Sequence, residues 1–331
     1  LLELDSPEAL PWVAERLGVA VETLALTPLG GGVSNHVYLA EAPGLRSVVK
    51  QSLGRLRVAE EWLSRRDRIW RECAALRTMA GVLPEGAVPE VLFEDREQHI
   101  FAMRAASGNA TPWKSSLLAG EVREETARQA GIQLAGWIRA GDDHPEWRFE
   151  FGDLTVFWEL RVDPYYRSVA NRHPALSRQI EALIEQCAER RISLVHGDFS
   201  PKNLLVDGDT LVVIDWEVVH WGDPSFDAAF LTNHLLLKAF HLSRWADRYA
   251  AAAHWFWDEL RAGLRGGAAR LERDAIGHLG GLLLARIDGK SPAEYIRDEA
   301  VKNRVREAAA DILLHPPDSI EGVFRRHFPC L

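Results

Sequence analysis

"LVHGDFSPKNLLVDGDTLVVIDWE", residues 194 to 217, sets His196, Asp198, Lys202, Asn203, Asp215 and Glu217 among apolar runs where each would be costly to desolvate without a partner. The stretch divides into "SLVHGD", "NLLV", the turn "DGD" and "TLVVID". That pattern predicts short strands joined as a hairpin, each ending in polar residues. Pairing across the turn brings Asp198, Asn203, Asp215 and Glu217 to one mouth of the hairpin. Either HGD or IDW alone reads as an ordinary Asp-capped turn, whereas the two at this spacing read as a site. Oxygen ligands without His or Cys suit a hard cation such as Mg²⁺, which shares substrate phosphates. A carboxylate beside that metal, free to take a proton from a hydroxyl, is what phosphoryl transfer requires. Lys202, at the exposed bend beside Pro201, is expected to face solvent or the cleft near a γ-phosphate, and not to pair with Asp198.

On the N-terminal side the texture is that of a small antiparallel sheet. "LALTPLGGGVSNHVYLA" (24 to 40) reads as strand, glycine turn, strand, and "LRSVVKQSL" (45 to 53) as a further strand. At the glycine turn, backbone N–H groups of Gly30, Gly31, Gly32, Ser34 and Asn35 can approach phosphate oxygens. Lys50 lies inside the apolar strand and needs a partner; Glu72, on a helix predicted from about Ser64 to Ala80, is the natural one. "VPEVLFED" and "HIFAMRAA" complete the sheet.

On the C-terminal side the pattern is helical. Helices are predicted over Gly120 to Arg139, over 174 to 190, and from Pro224 to the end, with breaks at Gly266-Gly267, "DGKSP" and Pro316-Pro317. The fold class is therefore α+β in two lobes, residues 1–105 and 106–331. The first holds one main helix on its sheet, and the second is larger and mostly helical. Asp227 in "GDPSFDAA" is expected to bond backbone groups of the 196–198 turn. His196 is expected to orient the catalytic centre more than to exchange protons.

The 331 residues carry 39 Lys plus Arg against 48 Asp plus Glu, a net charge of -9 with no basic tail, which argues against nucleic acid and anionic membrane as partners. Three widely spaced cysteines fit neither a disulfide framework nor a zinc site, and a cytoplasmic location is expected. Nothing in the N-terminal stretch reads as a secretory signal, and no apolar run is long enough to span a membrane.

"HGDFSPKN" resembles the HGDxxxxN catalytic loop of the aminoglycoside phosphotransferase and choline kinase superfamily, relatives of the protein kinases. "IDWE" is similar to its metal-binding IDxx, and "GDPSFDAA" to its GDPxxDLA. The resemblance implies a protein-kinase-like fold using ATP and Mg²⁺. It implies Asp198 as catalytic base, Asn203 and Asp215 as metal ligands with Glu217 assisting, and Lys50 with Glu72 positioning the nucleotide. Met103 to Ala106 would be the hinge, with Met103 and Ala105 receiving the adenine. Within the superfamily, "KQSLGRLRVAEEWLSRRDRIWRE" and "FDAAFLTNHLLLKAF" resemble 5-methylthioribose kinases, and Arg286 stands where those carry paired arginines. Candidate substrate-side residues are Trp62, Arg68, Trp221, Asn233 and Arg286. The implied reaction moves the γ-phosphoryl group of ATP to a hydroxyl of methylthioribose or a related pentose, in a monomer or homodimer. An aminoglycoside antibiotic is the alternative acceptor, and a catalytically silent nucleotide-binding module the alternative class. No APE-like end to an activation segment supports a protein kinase.

Overall fold

The computed structural model describes residues 2–30, 35–54 and 65–329. Strands β1 (Ala25–Pro28), β2 (Asn35–Ala42), β3 (Leu45–Ser52), β4 (Val91–Asp95) and β5 (Ile100–Arg104) form one antiparallel sheet in the order β1-β2-β3-β5-β4. Each face of the sheet is covered by one helix. Val49, Ala40, Ile100 and Ala102 bury against a helix at Ala9–Leu17 that the sequence analysis does not predict. On the opposite face Phe101 and Met103 share a core with Ile69, Cys73, Leu76 and Met79 of the Arg68–Ala80 helix. Side chains alternate along a strand, and Lys50 sits directly across from Phe101. The same alternation that turns Val49 away from the second helix therefore turns Lys50 toward it.

The larger lobe is built from helices at Glu124–Asp143, Ser177–Glu189, Ser225–His241, Ala246–Gly263, Ala268–Asp288 and Glu299–Leu314. The first of these starts later than predicted because Gly120 takes a left-handed φ of 76° and turns the chain before the helix begins. The Ser225–His241 helix is buried at every position from Ser225 to Phe240 and forms the axis of the lobe. No helix among the described residues is long and apolar enough to cross a membrane.

Five short strands interrupt the helices: β6 (Thr111–Pro112), β7 (Ser193–Val195), β8 (Leu204–Asp207), β9 (Thr210–Val213) and β10 (His220–Gly222). The expected hairpin forms between β8 and β9, and β6 extends it on the β8 side. The "SLV" segment pairs instead with β10, Val195 opposite His220, which clamps both ends of the polar stretch to one framework. Trp137 packs edge-on against Phe199 and Trp216 at 5.1 and 5.2 Å, so much of the aromatic content near the loop is packing. A π-helical stretch at Trp158–Arg167, with Pro164 inside it, crosses beside the loop.

Candidate active site

The 196–198 turn is shaped from behind. Asp227, in the first turn of the central helix, accepts the N–H groups of His196 and Gly197 at 2.6 and 2.9 Å. Burial raises the Asp227 carboxyl to about 7, and those two N–H groups hold it back. Gly197 has φ 76°, and a Cβ there would stand 2.7 Å from the Val218 side chain and 2.9 Å from its carbonyl oxygen, so no larger residue fits. His196 accepts the N–H of Asp198 on Nδ1 at 3.1 Å and places Nε2 3.0 Å from the Ile214 carbonyl, which fixes the neutral Nε2–H tautomer. Both ring nitrogens are occupied, and burial lowers the imidazole to about 4. His196 thus orients the loop and is not a proton carrier.

A group lowered in this way binds fewer protons folded than unfolded, so its contribution to stability is lost as pH falls below its unfolded value. Relative to a His196→Gln variant, which keeps a donor for Ile214, the wild type should lose stability between pH 6.5 and 4 by up to about 3 kcal/mol. Urea denaturation of both proteins across that range measures the difference, and parallel curves would remove the assignment.

Asp198 is buried with three donors on one oxygen. Arg161 Nη2 lies 3.0 Å, Lys202 Nζ 2.8 Å and Asn203 Nδ2 2.9 Å from Oδ2. The expectation that Lys202 would stand apart from Asp198 is corrected here: the turn at 200–203 folds back, and the carboxylate's charge draws the ammonium onto it. Burial alone would raise the carboxyl, but Arg161 and then Lys202 hold it below the ordinary range. Among the described residues these three contacts all fall on Oδ2. Arg161 was not singled out in the sequence. It comes from the π-helical stretch, is buried, and also donates through Nε to the Gly197 carbonyl at 2.5 Å, so it braces both the turn and its carboxylate. Its one sequence signal is a cation flanked by Leu160 and Val162.

Asn203 donates through Nδ2 to the Asp198 carbonyl as well, at 2.9 Å, which turns its amide oxygen outward. Asp215 follows Ile214, whose N–H bonds the Asn203 carbonyl at 3.0 Å, so the two residues are tied at the hairpin mouth. Asp215 adopts φ 69°, a left-handed conformation that costs a non-glycine residue on the order of 1 kcal/mol and is held by its surroundings. Its Oδ1 lies 2.9 Å from Lys50 Nζ, and Lys50 also bonds both oxygens of Glu72 at 2.7 and 2.8 Å. Burial opposes the Lys50 charge, but Asp215, Glu72 and Glu217 together keep the ammonium protonated. The oxygen of Asn203 and the carboxylate of Asp215 form a hard-donor set that fits Mg²⁺.

Glu217 takes Asn35 Nδ2 at 2.9 Å and Arg68 Nε at 3.1 Å on Oε2. Arg68 is fully enclosed and also donates to the Leu53 and Arg65 carbonyls. It is therefore a brace between the lobes and not a substrate-facing group. Trp221 is likewise structural: its indole N–H donates to the Arg191 carbonyl at 2.9 Å and its ring is buried behind β10. Asn233 lies buried on the central helix with neither amide atom partnered among the described residues. Arg286 bonds Ser291 Oγ at 2.9 Å and the Tyr165 hydroxyl at 3.4 Å. Gly30 lies two residues beyond the end of β1; Gly31, Gly32, Ser34 and Trp62 lie outside the described residues. At the expected hinge, Met103 pairs with Val48, and the Ala105 N–H donates to the Arg46 carbonyl at 3.0 Å. That amide is engaged in the sheet and is not the donor offered to an adenine.

Comparison with known proteins gives the family. Methylthioribose kinase 1 of Oryza sativa subsp. japonica is 26% identical over 269 residues, covering 73% of this chain and 62% of that protein. Methylthioribose kinase of Enterobacter sp. (strain 638) is 26% identical over 241 residues, covering 63% and 59%. The chain thus spans about three fifths of the length of these relatives. Among solved structures, macrolide 2'-phosphotransferase MphH from Brachybacterium faecium superposes with a TM-score of 0.51 at 20% identity, covering 94% of this chain and 99% of that one. The GDP and kanamycin complex of APH(2")-IIia superposes with 0.54 at 15%, covering 93% and 98%. At these identities the likeness is one of fold. The Phosphotransferase enzyme family matches residues 25–265. A match running from the first strand of the sheet to the end of the Ala246–Gly263 helix spans every residue that touches Asp198 or Lys50, and the chain belongs to the phosphotransferase enzyme family.

Proposed function

We propose that the protein is a small-molecule kinase that transfers the γ-phosphoryl group of ATP to a hydroxyl of a sugar-like acceptor, methylthioribose or a related pentose. The observation that carries the reading is the meeting of two sets at one mouth: Asp198, braced on Oδ2 by three donors among the described residues, and Lys50 bridging Glu72 and Asp215. Residues 1–105 would form the nucleotide lobe, with Lys50 directed to the α- and β-phosphates. Asn203 and Asp215 would hold Mg²⁺, which would neutralise charge on the phosphates. A solved neighbour of this fold is a complex with streptomycin and ATP, which supports ATP as donor.

Asp198 Oδ1 would accept the hydroxyl hydrogen and aim its oxygen at the γ-phosphorus. Because Arg161 and Lys202 keep the carboxylate ionised, its first task is orientation, with proton uptake late as the new bond forms. A silent nucleotide-binding module has no need of a braced base beside an intact lysine-carboxylate set. An ADP-release assay with ATP and Mg²⁺ against sugars, amino alcohols and aminoglycosides tests the reading. A pentose should stimulate release at least tenfold over background. Stimulation by aminoglycosides alone would overturn the acceptor class, and stimulation by no compound would overturn the kinase.

A further inference from the structure

The central helix carries a second buried charge that the chemistry above does not use. Lys238 is completely enclosed, and its ammonium reaches the His234 carbonyl, one turn back, at 3.3 Å. It sits 5.4 Å from the centre of the Tyr295 ring, and Lys114 approaches the same ring at 5.9 Å. The nearby carboxylate, Glu294, is already bonded to Lys114. Arg286 adds a third cation, and its Nε and the Tyr295 hydroxyl are buried without a partner among the described residues. The groups interact through space. Lys238 is lowered to about 7 by burial and then by Lys114 and Arg286, against Glu294. His234 is pushed well below its ordinary value by burial and then by Lys238, Arg286, Lys202 and Lys114.

Lys202 links this region to the catalytic carboxylate. The Arg161 guanidinium, bonded to Asp198, lies 5.6 Å from the Tyr165 ring and 5.7 Å from Phe230. Those two rings stack at 6.0 Å, and Phe230 leads to His234 at 5.4 Å. The Tyr165 hydroxyl also meets Arg286 at 3.4 Å, so the residues that border Asp198 border the donor-rich, cationic patch as well. Buried donors without acceptors are destabilising, and desolvated like charges more so. A bound anion relieves both at once.

We propose that the acceptor is a polyhydroxylated compound bearing an acid group, a carboxylate or phosphate, held by Lys238, Arg286 and the Tyr295 hydroxyl while a separate hydroxyl meets Asp198. The inference rests on the kinase reading and narrows its sugar-like class to acidic members. A cationic aminocyclitol would meet like charges at the same place. In the reaction the hydroxyl oxygen bonds to the γ-phosphorus, the bond from that phosphorus to the bridging oxygen breaks, ADP leaves, and the proton passes to Asp198. The acid group takes no part in it.

The test uses matched triplets: ribose, ribonate and ribose 5-phosphate, then glucose, gluconate and glucose 6-phosphate, with one aminoglycoside. ADP release is measured for the full chain with ATP and Mg²⁺, and binding of the acids is measured by calorimetry on Asp198→Asn protein. An acidic member should exceed its neutral counterpart ten- to a hundredfold in kcat/KM, and which acid does so separates carboxylate from phosphate. Lys238→Met and Arg286→Gln, on different helices, should each cut that preference at least tenfold. Turnover of neutral sugars or the aminoglycoside at equal or higher kcat/KM overturns the acid subsite and leaves the kinase reading standing. Lys238-dependent acid binding without ADP release does the reverse. An acid preference unchanged in both variants, or neither binding nor turnover of any acid, overturns the subsite.

Discussion

Asp198→Asn is expected to lower kcat by about three orders of magnitude while changing nucleotide affinity less than about threefold, within the range for loss of a positioned acid-base group. The reason is geometric. Asparagine keeps the size of the side chain and can still accept from Arg161 or Asn203, so the loop should hold its shape. What disappears is the anionic oxygen that aligns the acceptor hydroxyl and later takes its proton. Single-turnover measurement at saturating ATP separates this from a binding defect. Turnover within tenfold of wild type would remove Asp198 from the role. ATP affinity should survive because the Lys50 and Glu72 contacts lie on the other lobe and do not involve Asp198.

Asp227→Ala is expected to destabilise the fold by about 3–5 kcal/mol, the largest effect on stability of any single replacement proposed for this protein. Both carboxylate oxygens accept buried backbone N–H groups, and alanine leaves those of His196 and Gly197 without partners in a water-free position. Each abandoned donor costs about 1–3 kcal/mol. Asp227→Asn retains one acceptor and should cost roughly half as much. Chemical denaturation of the three proteins gives the comparison. A loss below about 1 kcal/mol in the alanine variant would mean the turn is held by other contacts. Activity should fall along with stability, since the turn being released carries Asp198.

The two predictions concern residues that differ in how plainly the chain announces them. Asp198, Asn203 and Asp215 were legible because a hairpin has only one way to bring its two polar ends together, and the turn at "DGD" marks its centre. Lys50 and Glu72 were legible for a related reason. An ammonium in an apolar strand must find a carboxylate, and the two periods, 2 along the strand and 3.6 along the helix, leave Glu72 facing it. Asp227 was read correctly as a backbone acceptor, since an acid in the first turn of an apolar helix has few other uses.

Arg161 shows the opposite case. Its contact with Asp198 depends on a wide helical stretch around Pro164 whose path is set by packing against neighbouring helices, and no periodicity marks it. Arg68 and Trp221 stood among the candidate substrate-side residues, yet both are enclosed. Lys202 was expected to stand apart from Asp198 because bend residues usually face solvent, but the carboxylate four residues back across the turn outweighs that preference.

By itself the sequence determined the α+β class, the antiparallel sheet with its helix, the hairpin at the centre and the polar groups at its mouth. These follow from short-range rules of strand alternation, turn chemistry and the cost of an unpaired buried charge. Only the tertiary structure decided which cations brace Asp198, which aromatic and basic residues are packing, and that Lys238, Arg286 and Lys114 cluster close to the loop. Those are contacts between segments far apart in the chain, and their partners are chosen by how whole helices pack and exclude water, which no local pattern encodes.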